Sequence, residues 1–175
     1  MSDDFKGWIK SIIIALLLAF FIRGFVVEHV VIAGESMMPT LHSHERVIVN
    51  KLDYLFNSPR RWDLVTFEYK TGRSFVKRIV GMPGDVVEIK NGDLYINGLF
   101  IEEPYVDSAR GNFGPEKVPE NHFFLLGDNR NYSRDSRCES VGFVPAEKIE
   151  GRAAIVFWPP DNTRHLIPGA KQVSK

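Results

Sequence analysis

The sequence predicts a mainly β fold, a coiled antiparallel sheet or barrel-like domain, carried on one N-terminal transmembrane helix. Three observations point there. Residues Ile12 to Ile22, IIIALLLAFFI, are uninterrupted apolar. From Val27 onward the apolar residues come in short β-branched runs rather than at helical spacing. Two Asn-Gly pairs, Asn91-Gly92 and Asn97-Gly98, fall between alternating runs, where tight hairpin turns need residues that tolerate positive φ.

The N-terminal element comes first. The eleven residues of the apolar run would rise only about 16 Å as a helix. Extended from Trp8 to Val27, the helix rises roughly 30 Å, the thickness of the hydrocarbon layer. Lys10 and Arg23 lie near its ends, where long side chains snorkel to the headgroups, and Trp8 suits the interface. Lys6 and Lys10 stand before the apolar residues. The expected topology therefore keeps residues 1–7 cytoplasmic, spans the membrane with 8–27, and exports 28–175 as one extracytoplasmic domain. A cleavable signal peptide is the rival, with Val31 and Ala33 as small residues at minus three and minus one. Ile22 lies eleven residues before Ala33, longer than such a cleavage region normally runs, so the anchor is read as uncleaved.

Beyond the anchor, ERVIVNKL and DLVTFEY read as strands separated by the turn-rich NSPRRW. SFVKRIVG follows, then a turn at MPGD, then VVEIKNGDLYINGLFIEE, broken at its two Asn-Gly pairs. Residues 103–121, rich in Pro, Gly and charge, read as a loop or small insertion. HFFLLGDN and GRAAIVFWP are two further strands, and the chain past Pro159 is a tail without periodicity. No internal repeat, heptad or low-complexity tract divides the chain, which reads as one β domain.

Composition narrows the function. A chain of 175 residues, 44% hydrophobic and 25% charged, suits one globular domain with a short appendage. Formal net charge is zero and no basic stripe is present, so nucleic acid is not an expected partner. The single cysteine, Cys138, rules out an intrachain disulfide and a cysteine-built metal site. His42 and His44 stand two apart, but no third ligand is spaced to complete a site. They read as solvated loop histidines, and no metal or cofactor is expected.

The chemistry begins at GESMMPTL, Gly34 to Leu41, which follows closely on the span and sets one hydroxyl, Ser36, beside two methionines and a proline. A serine hydroxyl attacks only when a base takes its proton. Histidine held by a carboxylate is the usual base, but His29, His42 and His44 fall in no pattern that fixes a triad. Lysine serves when burial lowers its pKa enough for neutral amine to be present. On a strand, Phe75, Lys77 and Ile79 share one face while Val76, Arg78 and Val80 share the other. Lys77 then sits between two large apolar neighbours. The same lysine also fits an edge strand that uses charge against aggregation, and periodicity alone leaves both readings open. A third segment, GDNRNYSRDSR from Gly127 to Arg137, follows an apolar strand and holds only small, polar and charged residues apart from one tyrosine. It lacks the acidic spacing and terminal glutamate of a calcium-binding EF-hand. Cys138, the rival nucleophile, has no histidine nearby in sequence and reads as a small, partly buried residue.

In this order, behind one N-terminal span, GESMMPTL, FVKRIVGMPGD and GDNRNYSRDSR resemble the bacterial type I signal peptidases, over about Phe20 to Pro159. The short stretch between the second and third motifs, and the single span, are similar to the Gram-positive subgroup. The resemblance implies a membrane-bound serine endopeptidase that removes signal peptides from exported proteins after small residues at minus one and minus three. It implies Ser36 as nucleophile and Lys77 as general base, with the Ser133 hydroxyl helping to orient the amine. Asp135 and Arg137 match a pair that shapes the site, and Gly127, Asp128 and Asn129 match its supporting turn. Met37 and Pro39 match residues that fix the nucleophile's loop. Some members carry a serine two residues before the nucleophile that donates to the oxyanion. This chain has Gly34 there, so a second donor must come from neighbouring backbone or from water. The implied partners are signal-peptide-bearing preproteins and the lipid bilayer. A self-cleaving repressor-type protease also pairs serine with lysine in a β domain, but carries a DNA-binding helical domain in place of a span. A non-enzymatic, membrane-anchored binding module would leave the three motifs as coincidence.

Overall fold

Val47 and Val49 are buried while their neighbours along the chain are not, and the same alternation recurs at Val87 and Ile89 and at Leu94 and Ile96. This period of two builds strands with one face turned inward. In the computed structural model, residues 3–21, 27–70, 72–106, 109–166, 169 and 171–172 are described. The chain runs from helix α1 (Asp3–Phe21) into β1 (Val27–Val31), β2 (Arg46–Asn50) and a one-turn helix α2 (Asp53–Phe56). There follow β3 (Leu64–Lys70), β4 (Arg73–Gly81), β5 (Val86–Lys90), β6 (Asp93–Ile96), β7 (Leu99–Glu102) and β8 (Phe113–Lys117). The last five strands are β9 (His122–Leu126), β10 (Val144–Pro145), β11 (Ile149–Trp158), β12 (Arg164–His165) and β13 (Lys171–Gln172).

The fold is mainly β, and the described strand pairs are antiparallel. The described strands form two sheets. The larger runs β1-β2-β11-β3-β4-β9-β10, with β12 added to β11; the smaller runs β13-β7-β6-β5-β8. Both Asn-Gly pairs make the expected tight turns, with φ of 53° at Asn91 and at Asn97.

Three expectations differ from what is found. Residues 103–121 are not wholly a loop, because β8 lies within them and pairs with β5. The tail past Pro159 is not featureless, because Arg164 and His165 pair with Val156 and Ile155 of β11 and Lys171–Gln172 pair with β7. Helix α1 spans Asp3–Phe21, and its residues from Gly7 to Leu17 are exposed. Among the described residues no helix is long and apolar enough to cross a membrane, and residues 22–26 of the expected span lie outside them.

Strand β4 sits where three apolar clusters meet. Val76 packs with Ile32, Met37 and Leu41; Phe75 and Ile79 pack with Val65 and Phe67; Val80 packs with Ile89 and Leu126. Burying a side chain of this kind stabilises the fold by about 1.5–3 kcal/mol, so three clusters together hold β4 in register. Its pairing is asymmetric. β3 accompanies it from Arg73 to Arg78, whereas β9 joins its other edge only from Arg78 to Gly81. The outer edge of Arg73–Lys77 is thus open among the described residues, and so is the outer edge of β1, which pairs with β2 alone.

Candidate active site

The loop between β1 and β2 carries Ser36. Its neck is closed by two hydrogen bonds of 2.8 Å, from Ile32 N–H to Glu45 O and from His44 N–H to Ile32 O. Within it, Met38 N–H donates to Glu35 O and Leu41 N–H to Met37 O, winding the chain into tight turns. Met37 and Leu41 are fully buried and pin these turns to the cluster that contains Val76, while Pro39 is exposed. The paired methionines thus divide the work: Met37 anchors, and Met38 remains partly exposed.

Ser36 is half-buried and its hydroxyl meets β4. Lys77 Nζ lies 2.7 Å from Ser36 Oγ and 2.9 Å from Val76 O, its other hydrogen-bond partner. The amine is also 5.4 Å from the centre of the Phe75 ring, on the face the alternation predicts. Lys77 is 3% exposed, so the edge-strand alternative, which needs a solvated charge, does not describe it. Burial lowers its pKa from the ordinary lysine value to about 8, against the opposing pull of the Asp135 and Asp128 carboxylates. In its neutral form the amine accepts the Ser36 O–H.

The Gly127–Arg137 segment holds the Ser36 loop from the other side. Asn129 N–H donates to Ser36 O, and Asn129 Nδ2 donates to Glu35 O, both at 3.1 Å. Gly127 is needed for this approach, since a Cβ there would collide with Ser36 O and Ser133 Oγ. Asp135 is wholly buried and accepts from Gly127 N–H at 3.1 Å and from Arg137 Nε and Nη2 at 2.8 Å. Arg137 Nη2 also donates to Arg130 O at 2.6 Å, closing the turn on itself. Ser133 packs against Gly127 with its hydroxyl buried and, among the described residues, without a hydrogen-bond partner; the Lys77 amine bonds Ser36 and Val76 instead.

Gly34 has φ of +94°, a region that side chains of L-residues rarely adopt, although no atom stands in the way of one. Its N–H faces Ser43 Oγ at 3.4 Å. The Ser36 N–H makes no hydrogen bond among the described residues, which leaves it free to donate to a reacting carbonyl. A cleft of about 530 Å³ opens over Ser36 and Lys77, lined by residues 30–37, 72–77, Tyr132 and Arg134. Both open strand edges border it. Cys138 does not line this cleft, and among the described residues no group of three metal-ligating side chains occurs.

Sequence reasoning missed the pair that links the motifs. Arg78 is 2% exposed and donates from Nε and Nη2 to the two oxygens of Asp128 at 2.8 and 2.6 Å. Thr40 Oγ1 donates to the same carboxylate at 2.5 Å, and Tyr105 stacks on the guanidinium at 3.9 Å. The loop, β4 and the Gly127 turn are thereby joined through one buried ion pair. An arginine between Val76 and Val80 on an apolar face was the available signal, since a buried guanidinium requires a carboxylate.

With this geometry in view, the relatives become informative. The profile of the family described as signal peptidase, peptidase S26, matches residues 5–158. The chain belongs to this family. It is a hydrolase, a serine-type signal peptidase that acts in signal-peptide processing. A signal peptidase I of Leptolyngbya laminosa is 42% identical over 170 residues, covering 91% of this chain and 83% of that protein. Signal peptidase I P of Bacillus subtilis subsp. natto is 39% identical over 176 residues, covering 94% and 95%. A crystal structure of a signal peptidase I from Enterococcus faecalis V583 is 33% identical, with a TM-score of 0.48, and covers 55% of this chain and 97% of that one.

Proposed function

We propose that this signal peptidase is a membrane-anchored endopeptidase that uses a Ser36–Lys77 dyad to cut preproteins after an Ala-X-Ala type sequence. The observation that carries the reading is the 2.7 Å contact between Lys77 Nζ and Ser36 Oγ, with the lysine buried enough to be partly neutral near neutral pH. The neutral amine takes the Ser36 proton as Oγ attacks the scissile carbonyl. The ammonium then gives that proton to the leaving amine, and a water activated by the regenerated amine hydrolyses the acyl-enzyme. The Ser36 N–H stabilises the oxyanion, one aimed donor being worth about 2.7–4 kcal/mol of barrier. Gly34 brings no side-chain donor, so the second one is backbone or water. Ser133 packs against Gly127 without bonding the amine, Asp135 and Arg137 hold the Gly127–Asn129 turn, and Asp128 ties it to β4. Met37 and Pro39 shape the nucleophile loop.

An extended preprotein lies between the open edges of β1 and β4, adding its backbone hydrogen bonds as a strand does. Residues 8–27 anchor the chain, residues 1–7 are cytoplasmic, and the catalytic domain, 28–175, faces outward against the bilayer that holds its substrates. Neither nucleic acid nor a cofactor takes part. Detergent-solubilised full-length protein should cleave a preprotein at the Ala-X-Ala junction, and Ser36→Ala should abolish this with the protein still folded. Cleavage that survives in Ser36→Ala, or that leaves a different new N-terminus, overturns the reading.

A further inference from the structure

The family match ends at residue 158, yet a residue beyond it reaches the loop that carries Ser36. Arg164 of β12 donates from Nη2 to Thr40 O at 2.7 Å and to Glu45 Oε2 at 2.8 Å, and from Nη1 to Glu45 Oε1 at 2.9 Å. Thr40 lies four residues after Ser36, and Glu45 nine. One guanidinium therefore clasps the middle of the nucleophile loop to its far end. Glu45 is 3% exposed and is fully engaged, accepting from His42 N–H at 3.0 Å and from Asn162 Nδ2 as well as from Arg164. Burial alone would raise the Glu45 carboxyl; the hydrogen bonds from Arg164 and His42 reverse this and hold it below the ordinary glutamate value.

The clasp is itself held firmly. Arg164 stands opposite Val156 in β11, and Leu166 N–H donates to Ala154 O at 2.8 Å. The Leu166 side chain packs against the cluster containing Met37 and Leu41, directly under the loop. The planar, forked guanidinium can serve a carboxylate and a neighbouring carbonyl at once, which a lysine ammonium on a flexible stem does less well.

We infer that Arg164 is a positioning residue for the nucleophile, so that the segment after residue 158 is a working part of the catalytic domain. This rests on Ser36 being the nucleophile. The loop between β1 and β2 has no strand pairing of its own. On one side Asn129 fixes Ser36 O and Glu35 O; on the other, Arg164 fixes Thr40 O. Releasing the second hold lets Ser36 Oγ drift from Lys77 Nζ, and a displacement of about 1 Å costs roughly 100-fold in rate. Arg164 does not line the cleft, so substrate binding is spared.

The test compares Arg164→Ala, Arg164→Lys and Ser36→Ala in the detergent-solubilised full chain, with folded fraction followed by circular dichroism. Arg164→Ala should lower kcat about tenfold or more with KM within about twofold, and Arg164→Lys should fall between it and the parent. The pH profile of kcat should keep its midpoint, because Lys77 is untouched. Unchanged kcat in folded Arg164→Ala, or a rise in KM alone, overturns the inference. If Arg164→Ala does not fold, Arg164→Lys decides. A kcat loss at unchanged folded fraction upholds the clasp, and parental kcat defeats it. Activity retained in Ser36→Ala would instead remove the nucleophile assignment on which the inference stands.

Discussion

At the scale of single residues, the proposed dyad turns on one amine. As a general base Lys77 would act only when neutral, and burial brings its pKa to about 8. Below that value kcat should fall about tenfold per pH unit, because only the unprotonated fraction can accept the Ser36 proton. Lys77→Arg keeps the charge but cannot release a proton and should be inactive across the range. Stability carries the same signature with a definite sign. The folded pKa lies below that of an unfolded lysine, so between about pH 8 and 10.4 the unfolded chain binds more protons, and stability rises with pH across that window. Below it, the parent bears the cost of a charged, buried amine. Lys77→Met should therefore be more stable than the parent at pH 7, by an amount on the order of 3 kcal/mol, and the gap should close as the pH is raised toward 10. Denaturant unfolding at a series of pH values measures this; a gap that stays constant with pH would show that the amine is not desolvated. Gly34 illustrates the opposite case, a residue whose conformation matters more than its chemistry. At φ of +94° it accepts a serine only with strain, even though space for the side chain is free.

At the scale of elements, β1 and β4 matter through the edges they leave unpaired. A cleft of about 530 Å³ lies between them, and a strand laid there alternates its side chains. Residues at minus one and minus three then point into the cleft, and the residue at minus two points out. A substrate scan should find small residues required at minus one and minus three and wide tolerance at minus two. Tolerance of large residues at minus three but not at minus two would contradict the register. Most of these elements were legible in the sequence, because β2, β5 and β6 alternate with a period of two, β3 and β4 are short apolar runs rich in β-branched residues, and turn residues fall in the expected places. β8 was not legible. Phe113–Lys117 includes a glycine, a proline and two charges, and only pairing with β5 makes it a strand. β12 is two residues long and offers no period at all. The site divides in the same way. The lone hydroxyl of Ser36 and the strand face of Lys77 made the two candidates, and only the resemblance of three motifs in order chose between the readings that periodicity left open. The Arg78–Asp128 and Arg164–Glu45 pairs, separated by 50 and 119 residues, could not be argued, because no local pattern carries the identity of a partner that distant.

At the scale of the whole molecule, the question is how the site stands relative to the bilayer. Ser36 is the ninth residue after Val27, and even fully extended that stretch reaches at most about 30 Å. An anchor ending at Val27 would therefore keep the nucleophile near the surface where a preprotein's cleavage region emerges. The sheet offers a matching feature at that end. Val31, Arg46 and Trp158 lie directly across β1, β2 and β11 from one another and so share one face. Val31 is 52% and Trp158 48% exposed, and the Arg46 guanidinium rests 5.7 Å from the centre of the Trp158 ring. An aliphatic, a cation and an indole side by side suit the boundary between headgroups and hydrocarbon, where such rings collect. A chain lacking residues 1–27 should consequently keep a basal rate in plain buffer and be stimulated by anionic vesicles or detergent. Trp158→Glu in that shortened chain should leave the basal rate intact, because Trp158 does not line the cleft, while removing most of the stimulation. Vesicle co-sedimentation run beside the rate assay separates the two effects. A shortened chain that neither binds vesicles nor responds to them would show that this face contributes nothing to membrane contact.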